Sequence, residues 1–339
     1  MITDLIDGRD LTVEQAYAAM DAVMTGQVPD SVLAGFLVAL RAKGESAAEL
    51  RGLADAMVAH AQNIQVPGTA VDIVGTGGDR LNTVNISTMA ALAVAGTGVT
   101  VVKHGNRASS STSGSADCLE ALGVRLDLPV GTVASCAEKV GITFCFAQTF
   151  HPSMKYAAGV RKQLGVATAF NVLGPMTNPA RVKASAIGVA RRDLAPLIAE
   201  VFCARGDRAL IFRGHDGLDE LTVTGSSEIW EVRDGQVNEH VFDPADLGMP
   251  RATIEDLRGQ DAVYNAQVAR RVLAGEQGPV REAVLLNAAA GLLALDPQTH
   301  EQSFLARMEN AVHQVAAALD SGAAADVLHR WVQYSSSAS

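Results

Sequence analysis

Short apolar runs alternate with helical patterns from residue 70 onward, and this alternation restricts the possible folds more than any other feature of the chain. The runs lie at 70–74, 99–102, 142–146, 184–189 and 209–213, with helical patterns at 86–95, 117–122, 130–140 and 194–204. Strands that alternate with helices are typical of a parallel or mixed sheet covered by helices. The chain has 48% hydrophobic but only 4% aromatic residues, which fits helices packed closely on a sheet better than a β-sandwich. We therefore predict an α/β fold with a central, mostly parallel sheet.

The first part of the chain is helical instead. Two capping boxes, each a Ser or Thr followed three residues later by Gln or Glu, predict helices over 11–24 and 50–61. A third predicted helix, over 32–41, ends at Gly44. This helix is apolar nearly all round, so we expect it to lie deep in the core or at a subunit interface. We predict a small helical domain over 1–67.

Length and charge narrow the class of protein. A chain of 339 residues suggests two domains, at roughly 150 residues per domain. Its 27 Lys and Arg residues against 37 Asp and Glu residues give a net charge of −10, which argues against a general nucleic-acid binder. The N-terminus shows no signal-peptide pattern and no apolar stretch is long enough to span a bilayer, so we predict a cytoplasmic protein without a membrane partner. The region 265–333 is mainly helical in pattern, and the serine-rich end, 335–339, is expected to fray.

The first predicted strand runs into a glycine-rich loop that leads to a helix start at 85–88. Glycines let the backbone approach a ligand closely, and a helix N-terminus attracts negative charge, so the segment suits a phosphate or diphosphate. The dinucleotide-binding motif would need glycine at position 80, where Arg80 stands, and no Walker motif occurs in the chain. An ordinary strand-to-helix turn is the alternative.

The second predicted strand also ends in a polar loop, over 103–117. Lys103 and Arg107 supply cationic donors, and several serines supply hydroxyl groups. Ligands of open α/β sheets bind at the carboxyl ends of the strands, so two such loops in succession predict a ligand with two separate phosphate groups. A flexible linker is the alternative for the serines, and a structural role is the alternative for His104.

Two further segments carry charged groups suited to such a ligand. Asp219 and Glu220 lie in a turn near two glycines, and paired carboxylates near a diphosphate are typical ligands of Mg²⁺. The alternative is a solvated acidic turn. Arg161, on a predicted helix starting at Met154, could hold a substrate carboxylate in a bidentate fork, unless it is an ordinary surface arginine. The Gly-Pro and Asn-Pro pairs within 170–179 predict a hinge between domains.

Taken together, these segments closely resemble the anthranilate phosphoribosyltransferase family. The matching motifs, in the family's order, are Gly75-Thr-Gly-Gly-Asp79, Asn85-Ile-Ser-Thr88, Lys103-His-Gly-Asn-Arg107 with Ser113-Gly-Ser-Ala-Asp117, Arg161-Lys-Gln-Leu-Gly165, Asn171-Val-Leu-Gly-Pro175 and Gly217-Leu-Asp-Glu220. They span about half of the chain. Val84, Gly159 and Ala167 depart from the family's usual residues.

The resemblance implies a fold like that of nucleoside phosphorylases and class III phosphoribosyltransferases. In it, a small all-α domain over 1–67 is joined by helices from about 154–182, and a large α/β domain comprises 70–153 and 183–339. It implies a homodimer. The implied reaction transfers the phosphoribosyl group of 5-phosphoribosyl 1-diphosphate to the amine of anthranilate. Diphosphate is released and N-(5-phosphoribosyl)anthranilate is formed, a step of tryptophan biosynthesis that needs no protein nucleophile.

The resemblance also implies a set of site residues. Those for the phosphoribosyl donor are Gly75, Gly78, Asp79, Thr83, Asn85, Ile86, Ser87, Thr88, Lys103, His104, Gly105, Asn106, Arg107, Ala108, Ser109, Ser110, Ser111 and Ser115. Those for anthranilate are Gly75, Asn106 and Arg161, with His151 and Pro175 in the surrounding pocket. Those for Mg²⁺, at an expected two ions per monomer, are Ser87, Asp219 and Glu220.

Two other functions remain open on the sequence alone. A pyrimidine-nucleoside phosphorylase shares the architecture but would not need Asp219 and Glu220 as metal ligands, and the motif at 103–106 matches it poorly. A catalytically silent relative that binds nucleotides or nucleic acid is disfavoured by the net charge of −10.

Overall fold

The protein, seen in a computed structural model, is described for residues 1–108, 112–296 and 302–337. Its helices are α1 (Ile2–Ile6), α2 (Val13–Met24), α3 (Asp30–Lys43), α4 (Ala47–Ala59), α5 (Ile86–Gly96), α6 (Ser115–Ala121), α7 (Val130–Val140), α8 (Ala147–Phe150), α9 (Lys155–Leu164), α10 (Phe170–Leu173), α11 (Ala195–Arg205), α12 (Ala262–Leu273), α13 (Pro279–Leu295), α14 (Phe304–Asp320) and α15 (Ala323–Ser337). Its strands are β1 (Ala70–Gly75), β2 (Thr100–Gly105), β3 (Ile142–Phe146), β4 (Ala184–Gly188), β5 (Arg208–Gly214), β6 (Ser227–Arg233) and β7 (Gln236–Phe242).

The strands of the described residues form a mixed sheet in the order β3-β2-β1-β4-β5-β6-β7. The strands from β1 to β5 pair in parallel, and β6 and β7 add an antiparallel edge. All five predicted strands are present. The predicted fold class, a helical part followed by a mostly parallel sheet covered by helices, is confirmed.

The sequence analysis does not predict β6 and β7. In β7 only Phe242 is buried, so this edge strand lacks the alternating apolar pattern that marks a strand in a sequence. The two strands are joined by Asp234 and Gly235, whose φ angles are 51° and 72°. An Asp-Gly pair in this left-handed conformation is typical of a tight hairpin turn, and it was the available signal for the missed hairpin.

The larger core lies between the sheet and its helices. The helices α5 and α13 are apolar nearly all round, and they are buried because they pack against each other and against β1. Their packing fixes the position of the carboxyl end of β1, where α5 begins. No helix within the described ranges is both long and apolar enough to cross a membrane.

A second core begins among α1 to α4 and continues through α9, α10 and α11 to one face of β4, β5 and β6. Both predicted capping boxes are present, at Thr12 and at Ser46. The helices α2 and α4 approach each other closely at Gly52, where a Cβ atom would lie 2.3 Å from the carbonyl oxygen of Val13. The helix α9 packs on α2 and α3, as expected if the segment from about 154 joins this domain.

The third helix is only partly in the core, because Val32 and Val38 are 45% and 46% exposed in the single chain, so its alternative position at a subunit interface stays a prediction. One expectation about the surface is wrong. The end of the chain is helical as far as Ser337 rather than frayed, and Ser335 is buried, with its Oγ accepting a hydrogen bond from the Arg125 backbone N–H at 3.1 Å. Residues 338–339 lie outside the described residues.

The close contact of α2 and α4 can be tested with two matched glycine variants. We expect Gly52→Ala to lower the free energy of unfolding by roughly 1–3 kcal/mol, because the added methyl group forces the helices apart. Gly35→Ala is the control, since its Cβ would meet only Ile2 Cδ1 at 3.8 Å, and alanine in a helix is favoured over glycine. Urea denaturation measures both, and equal stability of the two variants would contradict the packing described here.

Candidate active site

A cleft of about 500 Å³ opens at the carboxyl ends of β1 and β2. The connections from β1 and β4 leave in opposite directions along the sheet, so the strand order reverses between these two strands. Ligands of open α/β sheets bind at this kind of reversal, because the two loops diverge and leave a crevice. The cleft therefore lies where the fold itself leaves room for a ligand.

Both predicted loops and the acidic pair line this cleft. From the loop after β1 come Gly75, Gly78, Asp79, Thr83, Asn85, Ile86 and Ser87. From the loop after β2 come Gly105, Asn106, Arg107, Ala108 and Ser115, and the acidic pair is Asp219 and Glu220. These predicted donor and metal residues are thus brought together around a single cavity.

The two loops are tied to each other through Asn85. Its Nδ2 donates to the carbonyl oxygen of Ser113 at 3.1 Å, and its Oδ1 accepts from the Ser113 hydroxyl at 3.2 Å. The same Oδ1 also accepts from Nδ2 of Asn265 on α12 at 2.9 Å. The carboxylate of Asp117 holds the base of the second loop, because it accepts from the backbone N–H groups of Ala108 and Gly114.

The acidic pair crosses directly over the ends of β1 and β4. A Cβ atom at Gly188 would lie 1.6 Å from the main-chain oxygen of Asp219, and one at Gly75 would lie 2.3 Å from the Asp219 carboxylate. Asp219 Oδ2 accepts from the Gly77 N–H at 2.6 Å, and Glu220 Oε1 accepts from the Ser87 N–H at 3.2 Å. The glycines at these strand ends are therefore required for the acidic residues to reach the first loop.

Burial makes the acidic pair hard to ionise without a cation. Both side chains are less than a tenth exposed. Burial, with the neighbouring charges of Asp79 and Glu220, raises the pKa of Asp219 well above its ordinary value. Burial also raises the pKa of Glu220 to about 8, although the Lys103 ammonium opposes this shift. Two buried carboxylates that face a polar cleft beside the Ser87 hydroxyl fit a divalent cation that takes its remaining ligands from water and phosphate.

The described residues contain no cluster of three or more His, Cys, Asp or Glu side chains placed to enclose a metal.

Lys103 and His104 lie beneath the cleft rather than along its wall. The Lys103 ammonium is buried and donates to the carbonyl oxygen of Ile73 and to Ser87 Oγ, the latter at 3.2 Å. Burial lowers the pKa of Lys103, while Asp72 and the acidic pair oppose that shift. Lys103 therefore acts on the cleft through Ser87 and through its charge.

His104 is part of a buried polar group at the end of β2. Its Nδ1 lies 3.0 Å from the carbonyl oxygen of Gly174, and burial lowers its pKa to about 3. Its backbone N–H donates to Asp72, a fully buried carboxyl whose pKa burial raises to about 6. The ring of His151 lies 5.1 Å from the ring of His104. These contacts support the structural alternative for His104.

Several other predicted residues are not on the wall of the cleft. Thr88 is buried, and its hydroxyl has no hydrogen-bond partner among the described residues. Arg161 packs its guanidinium over the Phe170 ring at 5.2 Å, and Pro175 lines a different cavity. Ser109, Ser110 and Ser111 lie outside the described residues.

Six polar residues that line the cleft were not predicted as site residues: Thr76, Arg80, Asn82, Ser113, Asn171 and Arg191. Arg80 and Asn82 line the cleft with positive φ angles of 62° and 51°, a backbone conformation that is uncommon outside glycine and often found at functional sites. Arg191, after β4, lines it too. The position of Arg191 after a strand gave a weak signal, but only the strand order shows that β4 is next to β1.

The class of protein follows from three features: the mostly parallel sheet, the helical part, and the cleft lined by two loops suited to phosphate groups. Together they are those of a glycosyltransferase with two domains. The family model "Glycosyl transferase family, helical bundle domain" matches residues 1–61, and "Glycosyl transferase family, a/b domain" matches residues 67–325.

Relatives identify the family more closely. Anthranilate phosphoribosyltransferase of Arthrobacter sp. (strain FB24) is 60% identical, and the match covers 98% of this chain and 94% of the relative. The crystal structure of the Thermus thermophilus enzyme of the same name superposes with a TM-score of 0.91 at 40% identity, over 99% of both chains. The structure of the Saccharomyces cerevisiae enzyme in complex with PRPP and Mg superposes with a TM-score of 0.88 at 27% identity. The match covers 99% of this chain and 97% of the yeast chain. The chain belongs to the anthranilate phosphoribosyltransferase family, as predicted.

The crossing of Asp219 over β4 can be tested by adding one methyl group. We expect Gly188→Ala to lower kcat/KM by about 100-fold or more, because the Asp219 backbone must move and take the acidic pair out of place. Gly225→Ala is the control, since nothing lies within 4 Å of its Cβ position. Steady-state kinetics at several Mg²⁺ concentrations compares the two, and an unchanged Gly188→Ala enzyme would refute the geometry.

The buried His104 predicts how stability depends on pH. Its pKa in the folded protein is about 3 against an ordinary 6.5, so below pH 6.5 the unfolded chain binds a proton that the folded chain does not. Stability is therefore lost as the pH falls, by about 2 kcal/mol from this group at pH 5. In urea unfolding at pH 7 and 5, His104→Gln should lose less stability than the wild type. The exposed control His329→Gln should behave as the wild type, and identical losses in all three proteins would contradict the assignment.

Proposed function

We propose that the chain transfers the phosphoribosyl group of 5-phosphoribosyl 1-diphosphate to anthranilate in this cleft. The observation that carries the proposal is the meeting of two phosphate-type loops and a buried acidic pair around one cavity. Each feature alone has an ordinary structural alternative. Together, at the reversal of strand order, they could bind a sugar that carries a phosphate at one end and a diphosphate at the other.

The donor would be held mainly by backbone groups and hydroxyls. The helix α5 starts at Ile86 on the floor of the cleft, so its first N–H groups and the Ser87 hydroxyl suit the diphosphate. Gly77 and Gly78, with φ of 70° and 91°, keep the first loop free of side chains so that the sugar phosphate can lie close to the backbone. Asn106 and Arg107 would cover the donor from the second loop.

The metal site would consist of Ser87, Asp219 and Glu220. A bound Mg²⁺ would neutralise negative charge on the departing diphosphate, as such ions do in phosphoryl chemistry. The Lys103 ammonium, behind Ser87, favours the ionised form of Glu220 and so prepares the pair for a cation. Two ions per monomer is part of the proposal.

The chain's own contribution to the reaction would be positioning. As diphosphate leaves, positive charge develops on the sugar, and the amine of anthranilate attacks from the opposite face. The Arg161 guanidinium suits the anthranilate carboxylate because it has no carboxylate partner among the described residues. Its pKa is lowered by burial, so an anionic partner would relieve an unfavourable environment. Arg161 lies off the wall of the cleft in this structure, so holding anthranilate there would require a movement of α9.

The assembly and the domain division are also proposals. Apolar side chains are exposed on the first and third helices, with Ile6 at 71% and Val32 and Val38 near one half. A second copy of the chain on this face would cover them, which supports a homodimer. The packing of α9 on α2 and α3, and of α10 on α4, supports a helical domain over 1–67 with 154–182 and an α/β domain over 70–153 and 183–339. The cytoplasmic location stays a prediction.

The activity is tested with purified protein, Mg²⁺, the phosphoribosyl donor and anthranilate, following anthranilate fluorescence. We expect Glu220→Gln to lower activity by about 100-fold and to raise the Mg²⁺ concentration needed, because an uncharged amide binds the cation poorly. Asp256→Asn, an exposed acid, is the control.

Arg161→Gln should raise KM for anthranilate by about tenfold and leave KM for the donor unchanged.

The opposite results have distinct meanings. No turnover by the wild type would refute the proposed reaction. An unchanged Mg²⁺ response in Glu220→Gln would remove this residue from the metal site. Phosphorolysis of uridine or thymidine in place of anthranilate consumption would favour the pyrimidine-nucleoside phosphorylase alternative.

A further inference from the structure

A second cavity, of about 340 Å³, lies at the opposite edge of the sheet from the donor cleft. It is enclosed by α4 of the helical domain, by α11 and the start of β4 in the α/β domain, and by the turn at 174–178 between them. No described residue lines both this cavity and the donor cleft. The reaction proposed above makes no use of it.

The cavity is positively charged although the chain as a whole carries −10. Its lining contains four cationic side chains, Arg51, Arg181, Lys183 and Arg205, against two carboxylates, Asp55 and Asp207. Arg205 pairs with Asp55 at 2.5 Å, and Lys183 pairs with Asp207 at 2.6 Å. Among the described lining residues, two guanidinium groups are left without a carboxylate of their own.

Those two groups retain most of their hydrogen-bonding capacity. The Arg51 Nε lies 3.6 Å from Asp55, and this buried atom has no hydrogen-bond partner among the described residues. Within the part of the chain that the structure describes, Arg181 donates only a long side-chain hydrogen bond, of 3.4 Å, to Asn63 Oδ1. A guanidinium fork binds a carboxylate or a phosphate in a bidentate way, so the two arginines offer an unfilled anion site.

Apart from Asn178 and Ser185, the remaining wall is apolar, so a ligand must also cover an apolar surface. Val58, Met176 and Phe202 contribute side chains to it, next to Pro175. A bare inorganic ion would leave this surface uncovered. An anionic group attached to a compact apolar body would satisfy both parts of the cavity.

We propose that this cavity binds a small organic anion, with its carboxylate or phosphate between Arg51 and Arg181 and its apolar body against Met176 and Phe202. The site touches the buried network below the donor cleft. Asn178 lines the cavity, and its Nδ2 donates to Asp72 Oδ2 at 2.8 Å, while Asp72 in turn accepts from the His104 N–H. A ligand here would hold the helical domain, the turn and the α/β domain together.

Calorimetric titration of the intact protein with phenylacetate and with phenyl phosphate tests the proposal. Both probes carry the same apolar ring, so their comparison shows which anionic group the site takes. We expect at least one to bind with a dissociation constant of about 1 mM or lower. The double variant Arg51→Gln/Arg181→Gln should weaken this binding about tenfold or more, because both forks are lost. The control Arg125→Gln/Arg330→Gln removes two arginines elsewhere and should bind as the wild type does.

Binding to the acceptor site must be separated from binding to this cavity. We expect Arg161→Gln to leave probe affinity unchanged. A loss of affinity in Arg161→Gln with none in Arg51→Gln/Arg181→Gln would place the probe in the proposed acceptor site and overturn the proposal. Absence of binding by both probes to the wild type at about 10 mM would overturn it as well. The titrations use no phosphoribosyl donor, so their outcome does not depend on the proposed reaction.

Discussion

The passage of the main chain at Asp219 across the ends of β1 and β4 is the constraint on which the site depends. The acidic pair can reach the first loop only because Gly75 and Gly188 carry no side chain, and a Cβ at Gly188 would lie 1.6 Å from the Asp219 oxygen. The two strands are in register there, with Gly75 opposite Gly188. The crossing thereby brings two carboxylates to the carboxyl ends of β1 and β4. The sheet itself offers only backbone groups there.

That crossing also buries two carboxyl groups, and burial makes their ionised forms unfavourable. Asp219 and Glu220 are nearly buried, and their raised pKa values reflect the loss of hydration. The Lys103 ammonium beneath them is the counter-charge supplied by the fold, and Asp72 lies on its other side. Buried carboxylates stabilise a fold poorly, so the two side chains lower stability at the place where the proposed metal site would lie.

The turn at 174–176 contacts both the α/β part and the helical part of the molecule. On one side, the carbonyl oxygen of Gly174 holds the ring of His104 at the end of β2. On the other side, Pro175 and Met176 form the wall of the positively charged cavity between the domains. Because Arg205 of α11 binds both Asp55 of α4 and the Met176 carbonyl oxygen, the turn is fixed by contacts with both domains.

The sequence by itself determined the alternation of strands and helices, both capping boxes, the glycine-rich loops and the acidic pair, because these features are encoded in neighbouring residues. Their convergence around one cleft follows from the rule that parallel strands share their carboxyl edge. Only the tertiary structure decided that Lys103 and His104 lie beneath the cleft, that Arg191 joins its wall, and that Val32 and Val38 stay exposed. It also added the hairpin β6-β7, whose second strand is mostly exposed. These outcomes depend on strand order and on contacts between distant segments, which no local pattern of residues records.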